Sequence, residues 1–156
     1  MKNVVMITVF LFLFAFNAYT QNKSKSNVPE KVLSAFSQKF PSAKKVKWEK
    51  ENESEWEAEF KMERKEYSAN FALDGEWKET EYEIKKSAIP ANIKAILDQN
   101  FTKYEIEEAE ISETISGKTY EFEIEVGKEK MEVSIDAQGK LTKKNDDNKE
   151  NDGDQD

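Results

Sequence analysis

Glutamates at two-residue spacing are the most chemically suggestive pattern in this chain. Glu55, Glu57 and Glu59 alternate with Trp56, Ala58 and Phe60, and Glu121, Glu123 and Glu125 alternate with Phe122, Ile124 and Val126. Paired carboxylates can act as the acid and base of a glycosidase, provided that one carboxyl is desolvated and its partner is not. On alternating strands all six fall on the polar side, so the spacing reads as a solvated sheet face and singles out no catalytic pair. The 156 residues contain no His and no Cys. That excludes a Ser-His-Asp triad, a Cys nucleophile, a disulfide framework and the usual nitrogen and sulfur ligands of zinc. With 24 Lys and Arg against 32 Asp and Glu the net charge is -8, which speaks against nucleic acid or an anionic membrane as partner. No catalytic, cofactor-binding or metal-ligating residue is assigned. The six glutamates are instead the candidate partner-binding face, suited to a protein or peptide of basic character.

Other acidic runs are weighed in the same way. Asp146, Asp147, Asp152, Asp154 and Asp156 resemble calcium ligand runs, but no twelve-residue loop closes on a bidentate Glu. No apolar residue follows Leu141, so residues 143–156 read as an acidic disordered tail. Trp77 is the one aromatic side chain that the pattern allows at an exposed strand start, although core packing suits it as well.

The address is written at the other end. Met1-Lys2-Asn3 is a short positive start, and Val4 to Phe16 is almost unbroken Val, Ile, Phe and Leu, the pattern of a signal peptide. That stretch spans about 20 Å as a helix, too short for a bilayer core of about 30 Å. Ala18 and Thr20 supply small residues three and one before Gln21, so cleavage is expected between Thr20 and Gln21. Residues 1–20 are therefore read as a signal peptide and 21–27 as a linker. The absence of Cys excludes a lipoprotein anchor, and no membrane contact is expected after cleavage.

What must position the glutamates is a unit that occurs twice. Val28-Pro29, Val32, Phe36 and Phe40 recur as Ile89-Pro90, Ile93, Leu97 and Phe101 at an offset of 61. Beyond a small insertion near Ser112 to Lys118 the offset is 64: Trp56, Phe60, Tyr67, Ala69, Phe71, Gly75 and Trp77 match Tyr120, Ile124, Met131, Val133, Ile135, Gly139 and Leu141. Each unit, 28–86 and 87–142, opens on Pro at a helix start and continues with apolar residues at three- and four-residue spacing. Pro41 is expected to end the first helix. Period-two alternation then predicts about four antiparallel strands per unit. In the first unit these are Lys44 to Lys50, the hairpin through Trp56 and Phe71 with a weak turn at Arg64-Lys65, and Glu76 to Ile84. In the second, the parity change between Ile106 and Ala109 predicts a bulge near Glu107-Glu108, and Gly127-Lys128 a hairpin turn. The fold class is α+β, with the two sheets joined edge to edge or curved into one and both helices on the apolar face.

An apolar residue before Pro at the helix start, Phe40-Pro41-Ala43 after it, Val46 and Trp48, Trp56 and Phe60, and Phe71 with Asp74-Gly75 before Trp77 form a pattern that resembles the PepSY-like family, also described as β-lactamase-inhibitor-like. The resemblance spans Val28 to Leu141 in two copies. The second copy departs from it: Thr102 stands where a Pro is expected, Ala109 where Trp48 would recur, and Gln138 in place of the turn Asp. The resemblance implies a tandem helix-plus-sheet fold and a small periplasmic or secreted protein without enzymatic activity. The inhibitor label describes a fold and names no target. The reading that results is a non-enzymatic exported binding or inhibitor-like module docking its partner on the open sheet face. The alternative is a structural or stress-related envelope protein with no stoichiometric partner.

Overall fold

The structure is a computed structural model and describes residues 27–144. The signal-peptide reading, the linker before residue 27 and the acidic tail beyond residue 144 lie outside the described residues. Helix α1 (Glu30–Lys39) leads into strands β1 (Lys44–Lys50), β2 (Glu55–Met62), β3 (Lys65–Ala72) and β4 (Trp77–Glu83). A 3-10 turn (Lys86–Ala88) precedes α2 (Ala91–Asn100), which leads into β5 (Tyr104–Thr114), β6 (Gly117–Val126), β7 (Glu129–Asp136) and β8 (Leu141–Lys144). The strands form one eight-stranded sheet in sequential order, with antiparallel pairing throughout.

Both helices start and stop for the same local reasons. Pro29 and Pro90 sit at the N-cap, one residue ahead of the helix, in extended conformation. Their carbonyls accept from Leu33 N–H at 3.1 Å and Lys94 N–H at 2.9 Å. At the other end Phe40 and Phe101 close the last turn onto Phe36 and Leu97, and both rings are buried. Since α2 ends there with Thr102 in place of Pro41, the buried aromatic C-cap is common to both stops and the proline is not. The turn of the β2–β3 hairpin falls on Glu63-Arg64, one residue earlier than the sequence suggests. Both residues adopt left-handed φ, 52° and 67°, as a two-residue turn matched to sheet twist demands. The bulge in β5 is at the expected place, between Ile106 and Glu108.

One face of the sheet carries the apolar residues and both helices. Against α1, the Phe36 ring meets Trp48 and Phe60 edge-on, each at 5.1 Å between centroids, with Phe71 at 6.1 Å. Under α2 the same positions are mostly aliphatic: Ile93 and Leu97 pack with Ile106, Phe122, Ile124, Val133 and Ile135. The repeat equivalence explains a substitution that looks like a flaw in sequence. Trp48 lies directly across from Ala58, and their counterparts Ala109 and Phe122 are likewise cross-strand partners. The large and small members of the pair have exchanged strands, so core volume is kept at close packing. Turn glycines brace each helix in the same manner. Gly75, at φ 91°, brings its Cα so close to α1 that a Cβ would lie 2.8 Å from Lys31 O, and a Cβ on Gly139 would lie 3.2 Å from Ile96 Cδ1.

The two cores meet at the β4–β5 ladder, which runs from Glu79 opposite Thr114 to Glu83 opposite Glu110. On the helix side Tyr67 of β3, packed on the first core, touches Tyr82 of β4, packed on the second, at 5.1 Å, and the Tyr82 hydroxyl crosses to β5 by donating to Glu113 Oε1 at 3.2 Å. A unit of about 60 residues is marginal on its own, and the shared sheet makes the two cooperate.

The exchanged pair gives a direct test. Trp48→Ala should destabilise by about 3–5 kcal/mol, and Ala58→Phe beside an intact Trp48 by about 1–3 kcal/mol through overpacking. Combined, they recreate the second unit's arrangement, so the double variant should lose clearly less than the sum. Urea denaturation of the four proteins measures this, and strict additivity would refute the packing account.

Candidate functional site

The face opposite the helices carries the side chains of alternate positions, and on it the sheet brings together carboxylates from five strands. Reading across the register, Glu49 on β1 faces Glu57 on β2, which faces Asn70 on β3, which faces Glu79 on β4. One row along, Glu59 faces Ser68, then Glu81, then Ser112, then Thr119. In the next, Glu83 faces Glu110, then Glu121, then Ser134. The central group is thus Glu57, Glu79, Glu81, Glu110 and Glu121, and every direct cross-strand neighbour of these five is a carboxylate, an amide or a hydroxyl. Directly opposed side chains on one face stand about 5 Å apart at Cβ, so these acids feel one another.

Sequence reasoning placed the six candidate glutamates on a solvated face, and the structure corrects this. Glu57 and Glu121 are buried, at 6% and 8% exposure, although no helix covers them. Glu55, Glu59, Glu123 and Glu125 are half-buried. The cause is mutual cover: each interior glutamate is fenced by residues two positions away on its own strand and by neighbours on both sides. The two buried glutamates are equivalent positions of the repeat, 57 and 121. Three of the outer members lie beside cations. Lys47 pairs with Glu59 at 3.4 Å and Lys130 with Glu123 at 2.5 Å, and Glu125 lies opposite Lys130 in the ladder. Glu55 lies at the β1–β2 turn, where Asn52 Nδ2 donates to its carboxylate at 3.1 Å. The candidate set is therefore divided, with Glu57 and Glu121 in the central group and the other four at its margins.

Glu79, Glu81 and Glu110 are members that sequence reasoning missed. The signal was available: Glu79, Glu81 and Glu83 alternate in β4, but only the β4–β5 pairing shows that they complete the group. Their electrostatics follow from the crowding. Burial first, then the charges of Glu79, Glu121, Glu110 and Glu57, push the Glu81 carboxyl up to about 8. Burial, then Glu51, Glu59 and Glu49, push Glu57 up to about 7 against the opposing pull of a Ser68 hydrogen bond. Glu110 is raised by burial and by Glu108 and Glu83. Ser112 Oγ donates to Glu79 Oε1.

What the group can do is bounded by its surroundings. Among the described residues no three acidic side chains form a group that could hold a metal ion. Among the described residues the exposed large hydrophobics are Leu73 and Ile115, both at strand turns. Trp77 is half-buried on the helix side, where its Nε1 donates to Thr80 Oγ1 at 2.9 Å and the Lys39 ammonium lies 3.5 Å from its ring centroid. It is tied into the core and does not anchor the open face. The face therefore offers negative charge and hydrogen-bond acceptors over a broad, shallow area.

Comparison with known proteins places the fold. The model of the family described as "Putative beta-lactamase-inhibitor-like, PepSY-like" matches residues 18–68 and 55–143, two overlapping matches that together run through both units. A BLIP-like protein from Bacteroides fragilis is similar in structure, at TM-score 0.66 and 20% identity over 74% of this chain and 85% of that one. A DUF2874 family protein from Bacteroides ovatus gives TM-score 0.65 and 16% identity over 74% and 86%. A protein from Bacteroides eggerthii described as periplasmic gives TM-score 0.65 and 14% identity over 74% and 88%. At these identities the likeness is one of fold. No curated protein matches the sequence.

The crowded carboxylates tie stability to pH. Glu57 and Glu81 titrate higher in the fold than the ~4.3 of an unfolded chain, so from about pH 5 to about pH 8 the folded state binds more protons and stability falls as pH rises. The urea midpoint should drop over that interval. Glu81→Gln should flatten the slope and raise the midpoint at the alkaline end, whereas an unchanged slope would show that Glu81 titrates normally.

Proposed function

The chain belongs to the PepSY-like, β-lactamase-inhibitor-like family, and from that premise we propose that it is a non-enzymatic exported module that docks a basic protein or peptide on its open sheet face. The observation that carries this reading is the crowding of Glu57, Glu79, Glu81, Glu110 and Glu121 on one face, where their direct cross-strand neighbours are carboxylates, amides and hydroxyls. Holding like charges together and away from water costs stability, and a bound Lys or Arg side chain offsets that cost. The marginal glutamates, Glu55, Glu59, Glu123 and Glu125, widen the acidic field and steer an approaching cation. The signal-peptide pattern of residues 1–20 supports export to the periplasm or beyond, in accord with the description of the Bacteroides eggerthii protein as periplasmic. The acidic surface repels nucleic acid and anionic lipid, which leaves proteins and peptides as the partner class.

The test uses acetyl-capped octalysine as a probe of the docking chemistry, titrated calorimetrically into the chain from Gln21 at low and at near-physiological salt. Binding should weaken steeply with salt. Glu79→Gln with Glu110→Gln should weaken it several-fold while leaving the melting temperature unchanged or higher. Glu30→Gln with Glu53→Gln, which removes equal charge at exposed sites off this face, should change it little. Equal losses in the two double variants would mean that the probe senses net charge alone, and the face would lose its standing as the docking surface.

A further inference from the structure

We propose that the acidic C-terminal segment, residues 145–156, lies back along one end of the sheet, held by cations that the rest of the chain leaves unpaired. This reading is independent of what the open face binds. The geometry that carries it is a division of charge between the two ends of the strands. At the end where β8 finishes, the β2–β3 turn presents Arg64, the chain leaving β4 presents Lys85 and Lys86, Lys103 precedes β5, and Lys128 lies in the β6–β7 turn. All five are exposed, and Glu63 is the one acid in the connections at that end among the described residues. The connections at the opposite end lean the other way, with Glu51, Glu53, Asp74 and Glu76 against Lys140. The β3–β4 register, with Ser68 opposite Glu81, carries on to set the β2–β3 turn beside the end of β4. There the ammonium of Lys65, the first residue of β3, stands 5.3 Å from the centroid of the Tyr82 ring.

These cations lack carboxylate partners. Among the described residues the ion pairs fall on Lys47, Lys61, Lys78, Lys94, Lys118 and Lys130, and none falls on the basic end. Lys103 follows the C-terminus of α2, where a helix dipole by itself favours positive charge. The other four follow no α-helix. The chain supplies the complementary charge, since residues 145–156 hold Asp146, Asp147, Glu150, Asp152, Asp154 and Asp156 against Lys149, and β8 ends at Lys144 on this same end of the sheet. Reach is sufficient: the twelve residues extend to at most about 40 Å, while β8 stands five strand spacings from β3, about 24 Å. The acidic open face repels this segment and the basic end attracts it, so charge selects the site. Exposed pairs are weak one at a time, but a tether holds all six carboxylates near their partners at high effective concentration.

The chain has no Cys, so Gln155→Cys offers one site for a nitroxide spin label and keeps every acid of the segment. In NMR spectra of the chain from Gln21 at low salt, the label should broaden the amides of Arg64, Lys65, Lys85 and Lys86. Raising the salt to about 0.5 M should reduce that broadening several-fold. Replacing Arg64→Gln, Lys85→Gln and Lys86→Gln together should reduce it several-fold at low salt, and because all three side chains are exposed the melting temperature should stay near that of the parent. Broadening confined to the surroundings of Lys144, or insensitive to both salt and the triple variant, overturns the proposal. Spin-labelled chains without isotope are also mixed with isotope-enriched chains that carry no label. The enriched partner should show no broadening; broadening there would place the segment on a second copy and overturn the fold-back within one chain.

Discussion

The ladder between β4 and β5 is the contact on which the rest of this molecule depends. It joins two units that are each too small to bury much of their own surface, and it does so with main-chain hydrogen bonds that are indifferent to side-chain identity. On the helix side it lets Tyr67 and Tyr82 bridge two hydrophobic clusters. On the other side it sets Glu79 and Glu81 of the first unit beside Glu110 of the second, with Glu121 one strand further on. Neither unit alone contains the carboxylate group. The acidic centre is a property of the joint.

Such a group works against the stability of the fold that holds it. The ion pairs at the margins, all partly exposed, contribute little to stability. The central acids are crowded and desolvated, and neutral side chains of similar size would fit a sheet of this kind with less strain on its electrostatics. Perturbed groups of this sort concentrate where proteins bind or react. That the two buried members, Glu57 and Glu121, are equivalent positions of the repeat ties the feature to the unit itself rather than to one half of the chain.

The fold was legible in the sequence because its signals are local and repeated. Proline before an amphipathic run, alternation at period two, and the parity change around Glu107-Glu108 each depend on neighbours within a few residues, and a second copy checks each reading against the first. Where local chemistry is permissive, the reading slipped by a residue: Glu63-Arg64 carries the hairpin turn without glycine or asparagine to announce it. The site was legible only in part. Alternation shows that Glu57 points away from the helices, but whether it meets water depends on Glu49 and Asn70 two strands apart, and thus on register. Glu79, Glu81 and Glu110 entered the site through a pairing between units, which no short window contains.

The exchange of Trp48 and Ala58 for Ala109 and Phe122 also bears on how the chain sorts its own strands. Two similar hairpins in one polypeptide, or in two neighbouring ones, invite each strand to pair with the wrong counterpart, a characteristic failure of tandem repeats. If β1 settled beside β6, Trp48 would meet Phe122 and overfill the layer; if β5 settled beside β2, Ala109 would meet Ala58 and leave a void. Both errors are penalised while the native pairings are not. Divergence between the halves thus acts as a mating code, in which each strand recognises its partner by volume and rejects the look-alike.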